Sequence, residues 1–196
     1  MSTCEQLIEE RKRYIESHVK TLDNLLKLKG KNQLTYLLNM IKSNEIDTVK
    51  QLIDNNDGLL DAVTVFGTFL HDASTYGMYD IAKYLVECGI DVNKRGGGRD
   101  SSALTSAAFK GYKNIVELLY ENGANLDISS FERNPLFAAI YNGHFDVVKF
   151  LVEKGIDLNV CYAVGDFDKI DAYEYARQYG QTEIADYLQG NMKTGQ

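Results

Sequence analysis

Histidine, aspartate and glutamate are the side chains that most often carry acid–base chemistry near neutral pH. The sequence has three histidines, His18, His71 and His144, and its carboxylates are scattered without a spacing that would pair two of them. No Gly-x-Ser-x-Gly, His-Glu-x-x-His or phosphate-binding loop motif occurs. These residues predict no catalytic site, so we expect a function other than that of an enzyme.

Cysteine can supply a nucleophile, a metal ligand or a disulfide. The three cysteines, Cys4, Cys88 and Cys161, are widely separated, and no pair has the short spacing of a metal site. Because an odd number of cysteines cannot form a closed disulfide framework, we expect free, reduced thiols. The sequence therefore predicts no metal and no cofactor.

A run of three glycines, 96–98, lies between Arg95 and Arg99 and could be read as a phosphate-binding loop. Such a loop follows a strand and leads into a helix that begins with Lys-Ser or Lys-Thr, and neither feature is present here. We interpret the run as a lengthened, flexible tip between two repeated elements.

The chain has 196 residues, of which 44% are hydrophobic and 25% charged, as is ordinary for one soluble globular domain. No uninterrupted apolar stretch in the sequence approaches the roughly 18 residues that a membrane span needs. The first thirty residues also lack the apolar stretch of a signal peptide. We therefore expect a protein that starts near Met1, stays in the cytoplasm and has no membrane partner. The net charge of −7 would repel a phosphate backbone, so we expect no nucleic acid partner. The same charge favours a basic protein as the partner.

The elements that position these residues follow a repeat, which becomes visible when the chain is aligned on glycines. Gly77, Gly111, Gly143 and Gly180 recur at intervals of 34, 32 and 37 residues, and the first three are each followed twelve residues later by a second glycine. Seven residues before each of these four glycines stands a leucine, or Tyr173 in the last copy. An alanine stands four residues before each of them, and a leucine eight residues after. A period of this length indicates a repeat architecture.

Each copy predicts two short helices joined by a turn. Leu104, Ala107 and Ala108 share one helical face, and Gly111 can end the helix in the left-handed conformation. The second helix carries the apolar stripe Ile115, Val116, Leu118 and Leu119.

This pattern resembles the ankyrin repeat. The match to that family is almost position by position over residues 134–159, NPLFAAIYNGHFDVVKFLVEKGIDLN. It is nearly as close over residues 102–127, SALTSAAFKGYKNIVELLYENGANLD, and weaker over residues 68–93. A degenerate copy precedes them, with Leu37, Met40 and Leu52 in register and Asn44 in the glycine position, where asparagine tolerates the left-handed conformation. The resemblance also implies that His71 and His144 occupy structural positions that hydrogen-bond neighbouring turns.

The resemblance implies an all-α fold, a solenoid of stacked helix-turn-helix units with short hairpin-like tips. We expect units near residues 33–64, 65–98, 99–131, 132–166 and 167–190, together an ankyrin-repeat domain over residues 31–190, and a disordered tail over residues 191–196. Residues 1–30 predict an N-terminal amphipathic helix from Thr3 to Lys29, with Ser2 and Glu5 as its capping box and Gly30 at its end. We expect this helix to cap the first repeat. Dimerisation or partner binding is the alternative, so the choice between monomer and dimer stays open.

In ankyrin arrays a partner binds to the projecting tips and to the outward residues at the end of each first helix, on the concave face. The resemblance therefore implies a row of four aromatic residues, Tyr76, Phe109, Tyr141 and Tyr179, flanked by Lys110 and Asn142. The tips add Arg99, Phe131, Arg133, Phe167 and Asp168. Aromatic residues and arginine are enriched among the residues that dominate protein interfaces.

We therefore expect a non-catalytic module that binds a specific partner protein and inhibits or shields it. Small bacterial ankyrin proteins, some of which are immunity proteins against a toxin, resemble this chain in build and in its closing segment DAYEYARQYGQTEIADYL. The alternative is a scaffold or adaptor that bridges two proteins, one through the N-terminal helix and one through the array. The resemblance does not identify the partner.

Overall fold

A computed structural model of the chain describes residues 31–56, 58–165 and 167–194. The helix that we expect between Thr3 and Lys29, with its capping box and its terminal Gly30, lies outside the described residues, and its role as a cap stays a prediction. The chain forms two compact bodies, one that ends at Leu59 and one that begins at Leu60.

The first body contains the degenerate repeat as a helix pair, α1 (Lys31–Lys42) and α2 (Ile46–Asp54). Asn44 lies between the two helices with a φ of 57°, so the left-handed conformation predicted for this position is confirmed. The buried apolar residues of this pair are Leu37, Ile41, Val49, Leu52 and Ile53. Met40, which we expect in register with the core, is only half-buried, because the adjacent Ile41 takes the inward position.

The second body contains four further helix pairs and two short hairpins. In chain order the elements are β1 (Val63–Thr64), β2 (Gly67–Thr68), α3 (Phe69–Tyr76), α4 (Tyr79–Glu87), α5 (Ala103–Lys110), α6 (Lys113–Glu121), α7 (Pro135–Tyr141), α8 (Phe145–Glu153), β3 (Tyr162–Val164), β4 (Phe167–Ile170), α9 (Ala172–Gln178) and α10 (Thr182–Thr194). Each helix pair overlaps one of the predicted repeats, although α1 begins two residues before residue 33 and α10 runs beyond residue 190.

Three of the first helices, α5, α7 and α9, begin after a residue whose side chain caps them. The Ser102 hydroxyl accepts a hydrogen bond from the backbone N–H three residues on (3.2 Å), and the Asp171 carboxylate does the same for α9 (2.8 Å). The Asn134 side chain accepts from the N–H two residues on (2.9 Å), with Pro135 in the first turn of α7, where its missing N–H costs nothing. These caps fix where α5, α7 and α9 start.

The glycines that define the repeat end the first helices. Gly111 has a φ of 78°, and a Cβ built there would lie 2.4 Å from Nδ1 of His144. Any other residue would therefore meet both a strained backbone and the imidazole ring of the next repeat.

The helices form two packed layers. The first helices, α3, α5, α7 and α9, pack on one another in order, and the second helices, α4, α6, α8 and α10, do likewise. Fully buried Ala73, Ala107, Ala139 and Ala176 allow the first helices to approach closely. In α6, Ile115, Val116 and Leu119 are fully buried as predicted, whereas Leu118 is half-buried and lies at the edge of the stripe.

The tips carry the β structure. β1 pairs with β2 and β3 pairs with β4, both antiparallel, and Gly96 forms an isolated antiparallel bridge with Ser101. The mostly helical fold with hairpin-like tips therefore agrees with the expectation, although the tip between α6 and α7 contains no strand.

The end of the chain differs from the prediction. We expect a disordered tail from residue 191, but α10 continues to Thr194, so the predicted boundary is wrong for residues 191–194. Asn191 donates its side-chain amide to the Tyr187 carbonyl (2.8 Å), and Met192 is half-buried. These contacts extend the helix through Gly190.

We predict that Leu119→Ala lowers the free energy of unfolding by about 2–5 kcal/mol, because Leu119 is fully buried between the layers and its truncation leaves a cavity. Urea denaturation followed by circular dichroism measures this. Leu118→Ala, one residue away and half-buried, is the matched control and should cost clearly less. Equal losses would contradict the assignment of the core face.

Candidate functional site

A groove of about 520 Å³ lies in the second body, along the first helices and beneath the tips. Its lining residues are Thr75, Arg99, Ser101, Thr105, Ser106, Phe109, Lys110, Phe131, Glu132, Phe137, Ala138, Tyr141, Val164, Tyr175 and Tyr179. Six of these are aromatic, four carry hydroxyl groups on short side chains and three are charged. An apolar floor with a few polar groups is typical of a binding site.

A line of touching rings crosses the groove from repeat to repeat. Phe109 stacks on Tyr141 with centroids 5.9 Å apart, and Tyr141 contacts Tyr179 at 4.9 Å. Tyr141 and Tyr179 remain 45% and 46% exposed. Since such pairs support one another in fixed orientations, the row offers a partner a preformed apolar surface.

A second aromatic cluster joins the groove to the tips. Phe131 contacts Phe137 (5.6 Å) and Tyr175 (5.4 Å), and Tyr162 of β3 contacts Phe137 (5.1 Å). Phe137 and Tyr175 are both 2% exposed, so they belong to the core as well as to the wall of the groove. Phe131 is half-buried and therefore contributes to stability besides any role in binding.

Two tyrosine hydroxyls near the groove stay protonated. Burial, and then hydrogen bonding with the Tyr179 side chain, raises the pKa of Tyr175. Burial also raises the pKa of Tyr162, whose hydroxyl donates to the Ile128 carbonyl (2.6 Å) and accepts from the Asn134 amide (3.1 Å). Both phenols are therefore neutral at physiological pH.

The structure brings six of the eleven predicted site residues together in the groove. They are Arg99, Phe109, Lys110, Phe131, Tyr141 and Tyr179. The other five, Tyr76, Arg133, Asn142, Phe167 and Asp168, do not line it.

Arg133 and Asn142 make contacts inside the protein. The Arg133 guanidinium lies 2.6 Å from the Asp100 carboxylate and donates to the Asp100 carbonyl (3.2 Å), so it ties two tips together. Asn142 donates its amide to the Phe109 carbonyl (2.7 Å). A partner would have to compete with these bonds, so both residues support the site indirectly.

Tyr76 and Phe167 are exposed beside the groove, at 39% and 42%. Tyr76 directly precedes its repeat glycine, whereas Phe109 and Tyr141 each lie two residues before theirs. Thr75 occupies the equivalent position in α3 and lines the groove in place of Tyr76. The offset from the glycine does not by itself decide this, because Tyr179 also directly precedes its glycine, Gly180, and yet lines the groove.

Sequence reasoning missed part of the site. Phe137 and Tyr175 lie in helical positions that read as core, so nothing in the pattern marks them as groove walls. The hairpin of β1 and β2 also presents Val65 and Phe66, which are 81% and 64% exposed. An apolar pair in a turn is the signal that could have drawn attention to this tip.

The two described histidines make the structural contacts that the resemblance implies. Nδ1 of His71 accepts from the Thr68 N–H (3.1 Å) and Nε2 lies 3.0 Å from the Ser101 carbonyl, which fixes the neutral tautomer with its proton on Nε2. Nε2 of His144 lies 3.1 Å from the Phe109 carbonyl. His18 lies outside the described residues.

The glycine-rich tip forms a hydrogen-bonded turn. The Gly96 N–H donates to the Ser101 carbonyl (3.0 Å), and the Asp100 N–H donates to the Gly97 carbonyl (3.1 Å). A Cβ on Gly96 would lie 2.6 Å from the Cα of Gly67 in β2. The glycine thus serves close packing of two backbones.

Within residues 31–56, 58–165 and 167–194, no group of three or more His, Cys, Asp or Glu side chains could hold a metal ion. In the same part of the chain, no helix has the length and apolar character needed to cross a membrane.

Comparison with known proteins identifies the family. The sequence model of the ankyrin repeats matches residues 2–96 and 94–162, which is most of the chain. The match begins inside the segment for which we expect a capping helix. The chain belongs to the ankyrin-repeat family, whose repeats act as protein–protein interaction modules.

Two relatives share part of the sequence. Palmitoyltransferase AKR1 from Lachancea kluyveri is 32% identical over 90 residues, and E3 ubiquitin-protein ligase hecd-1 from Caenorhabditis elegans is 34% identical over 95 residues. These alignments take in 43% and 48% of this chain but only 12% and 3% of the two proteins. The chain therefore corresponds to a small part of each.

We predict that protonation of His71 destabilises the protein. Burial lowers the pKa of His71, only partly offset by its hydrogen bond to Ser101. The unfolded state, with a pKa of about 6.5, therefore takes up the proton first, and the contribution of His71 to stability declines as the pH falls below that value. Urea denaturation from pH 7.5 to 5 should show a steeper loss for the wild type than for His71→Gln. An imidazole NMR titration with a midpoint at or above 6.5 would contradict this.

We predict that Gly96→Ala destabilises the second body by about 1–3 kcal/mol, the usual cost of overpacking, because the new methyl group meets the Gly67 backbone. Gly98→Ala is the matched control, since a Cβ there has no atom within 4 Å. Thermal unfolding of both variants checks this. A Gly96→Ala protein as stable as Gly98→Ala would mean that the close approach is absent.

Proposed function

We propose that this protein binds one specific partner protein by accepting a segment of it in the aromatic groove. The observation that carries the proposal is the line of contacting rings, Phe109, Tyr141 and Tyr179, which leaves two tyrosines almost half exposed. Half-exposed aromatic residues on a rigid layer of helices can bury area on binding with little loss of side-chain entropy.

The dimensions and polarity of the groove support a peptide segment as its occupant. A volume of about 520 Å³ suits a few side chains of a partner. Thr75 and Ser106 line the wall. The Ser106 hydroxyl donates to the Ser102 carbonyl (3.4 Å) and can still accept a hydrogen bond from the backbone of an extended segment. Pairing of this kind matters because a backbone group buried without a partner weakens binding.

Binding in this groove would cover the surface of the partner that enters it. The proposal therefore includes inhibition or shielding of that partner, as in an immunity-type protein that covers a functional surface of a toxin. Cytoplasmic action on a partner with a basic overall charge, which the net charge of −7 would steer, belongs to the same proposal.

The adaptor function is the second candidate, and the exposed pair Val65 and Phe66 favours it. This hairpin presents apolar side chains on the second body in addition to those of the groove. A second protein could bind there while the first occupies the groove. Val65→Ser and Phe66→Ser should then remove one of two captured proteins and leave the other.

We predict that Phe109→Ala and Tyr141→Ala each weaken partner binding by about 2 kcal/mol or more, the loss typical of an interface hot spot. Affinity capture from the native cells, with the wild type and the two variants in parallel, identifies a protein whose recovery depends on the groove. Calorimetry with that purified protein then measures the affinity.

The control is Tyr120→Ala. Tyr120 is a half-buried aromatic on α6 that packs on Phe150 in the second layer of helices, away from the groove. It should leave the affinity unchanged. Thermal unfolding of all variants separates loss of binding from loss of folding. Losses below about 0.5 kcal/mol for both groove variants would rule out the groove as the binding site.

A further inference from the structure

Two cations lie over the same aromatic ring at one end of the groove. The Arg99 guanidinium is 5.0 Å from the centroid of Phe109, and the Lys110 ammonium is 5.7 Å from it. Arg99 comes from the glycine-rich tip and Lys110 from the last turn of α5. The ring therefore holds two positive charges from different elements at one place.

These cations have no carboxylate partner within the described part of the chain. The neighbouring arginines differ, because Arg133 and Arg95 both approach the Asp100 carboxylate, at 2.6 Å and 3.9 Å. Among the described residues that line the groove, Glu132 is the single acidic one, so the charge of those residues is net positive. This local sign is opposite to that of the whole protein, which is −7.

We infer that the groove accepts a partner segment in which a carboxylate side chain lies beside a large apolar side chain. The inference rests on the proposed function and names the chemistry of the segment. The apolar side chain would pack on Tyr141 and Tyr179, and the carboxylate would approach Arg99 and Lys110. Because neither cation would have to give up an ion pair, the new contact carries no such cost.

The geometry discriminates by charge. A planar guanidinium that already lies over a ring has lost part of its side-chain freedom, and it can present two parallel N–H groups that match a carboxylate. A lysine or arginine on the partner would instead meet two positive charges on a partly desolvated surface, which is unfavourable. The groove therefore selects against basic segments even though the protein as a whole attracts them.

The test uses a random library of twelve-residue peptides, selected on the immobilised full chain. Peptides selected by the wild type should be enriched in Asp and Glu next to Phe, Tyr, Trp or Leu. The double variant Arg99→Glu/Lys110→Glu should instead enrich Lys and Arg. Titration of the best acidic peptide should show roughly tenfold weaker binding to the double variant, in line with the modest strength of exposed ion pairs. Binding of this peptide to the wild type should weaken as salt is added.

The control variant is Lys149→Glu/Lys154→Glu, which reverses two lysines that lie over Phe145 and Phe150 of α8 in the second layer. It should select the same acidic peptides as the wild type. Unchanged thermal unfolding of the groove variant confirms that it folds.

Three results would overturn the inference, and they differ in what they mean for the proposed function. If the wild type selects apolar peptides with no acidic preference, and these lose binding on Tyr141→Ala, the groove binds peptides but the charge assignment is wrong. If it enriches no peptide that depends on Tyr141, both proposals fail. If a twelve-nucleotide single-stranded oligonucleotide binds the wild type and not the double variant, the cations serve phosphate and stacked bases instead.

Discussion

Side chains of one repeat complete hydrogen bonds that the backbone of an adjacent repeat leaves open. The His71 side chain bonds to the Ser101 carbonyl, 30 residues further along the chain, and the Thr105 hydroxyl bonds to the Arg133 carbonyl, 28 residues further along. The Tyr162 hydroxyl bonds to the Ile128 carbonyl, 34 residues earlier. A buried carbonyl without a partner costs about 1–3 kcal/mol, so a repeat satisfies its polar groups only beside a neighbour. The period of the glycines follows from this requirement, because each side chain must arrive at the same place in the next repeat.

The same bonds create the groove. The bonds of His71 and Thr105 anchor a tip to the layer of first helices, and the bond of Tyr162 joins two tips. The space left beneath the tips is lined by the residues that those helices present there. Tyr175 is buried in the core and the half-buried Phe131 packs against it, so under the proposed function binding and stability would depend on the same atoms there. Tyr141 and Tyr179 are held mainly by other rings of the row and keep half of their surface for a partner. Substitutions at these two positions consequently separate binding from folding better than substitutions in the tips.

The repeat pattern was sufficient to predict the helix pairs, the left-handed Asn44 and the structural bonds of His71 and His144, because each depends on spacing along one repeat. It was not sufficient for the site. Aromatic residues occur both one and two residues before the repeat glycine, and this spacing does not decide which of them enters the groove, because Tyr76 and Tyr179 share one offset and only Tyr179 lines it. Tyr175 was missed as a groove residue for a related reason. A position in the core and a position in the wall of a groove both favour a large apolar side chain, so the residue type does not tell them apart. The helical end of the chain depends on a bond to Tyr187 and has no signal in the repeat.

Charge acts at two ranges in this protein, and the two have opposite signs. The net charge of −7 is felt at distances up to about a Debye length, roughly 8 Å in physiological salt, and influences how often partners meet it. Arg99 and Lys110 act only on groups that have entered the groove, where Phe109 holds both of them. A partner with a basic surface around one acidic, apolar segment would satisfy both conditions. Such a partner would approach quickly and would bind in one register, because only that segment matches the cations and the rings together.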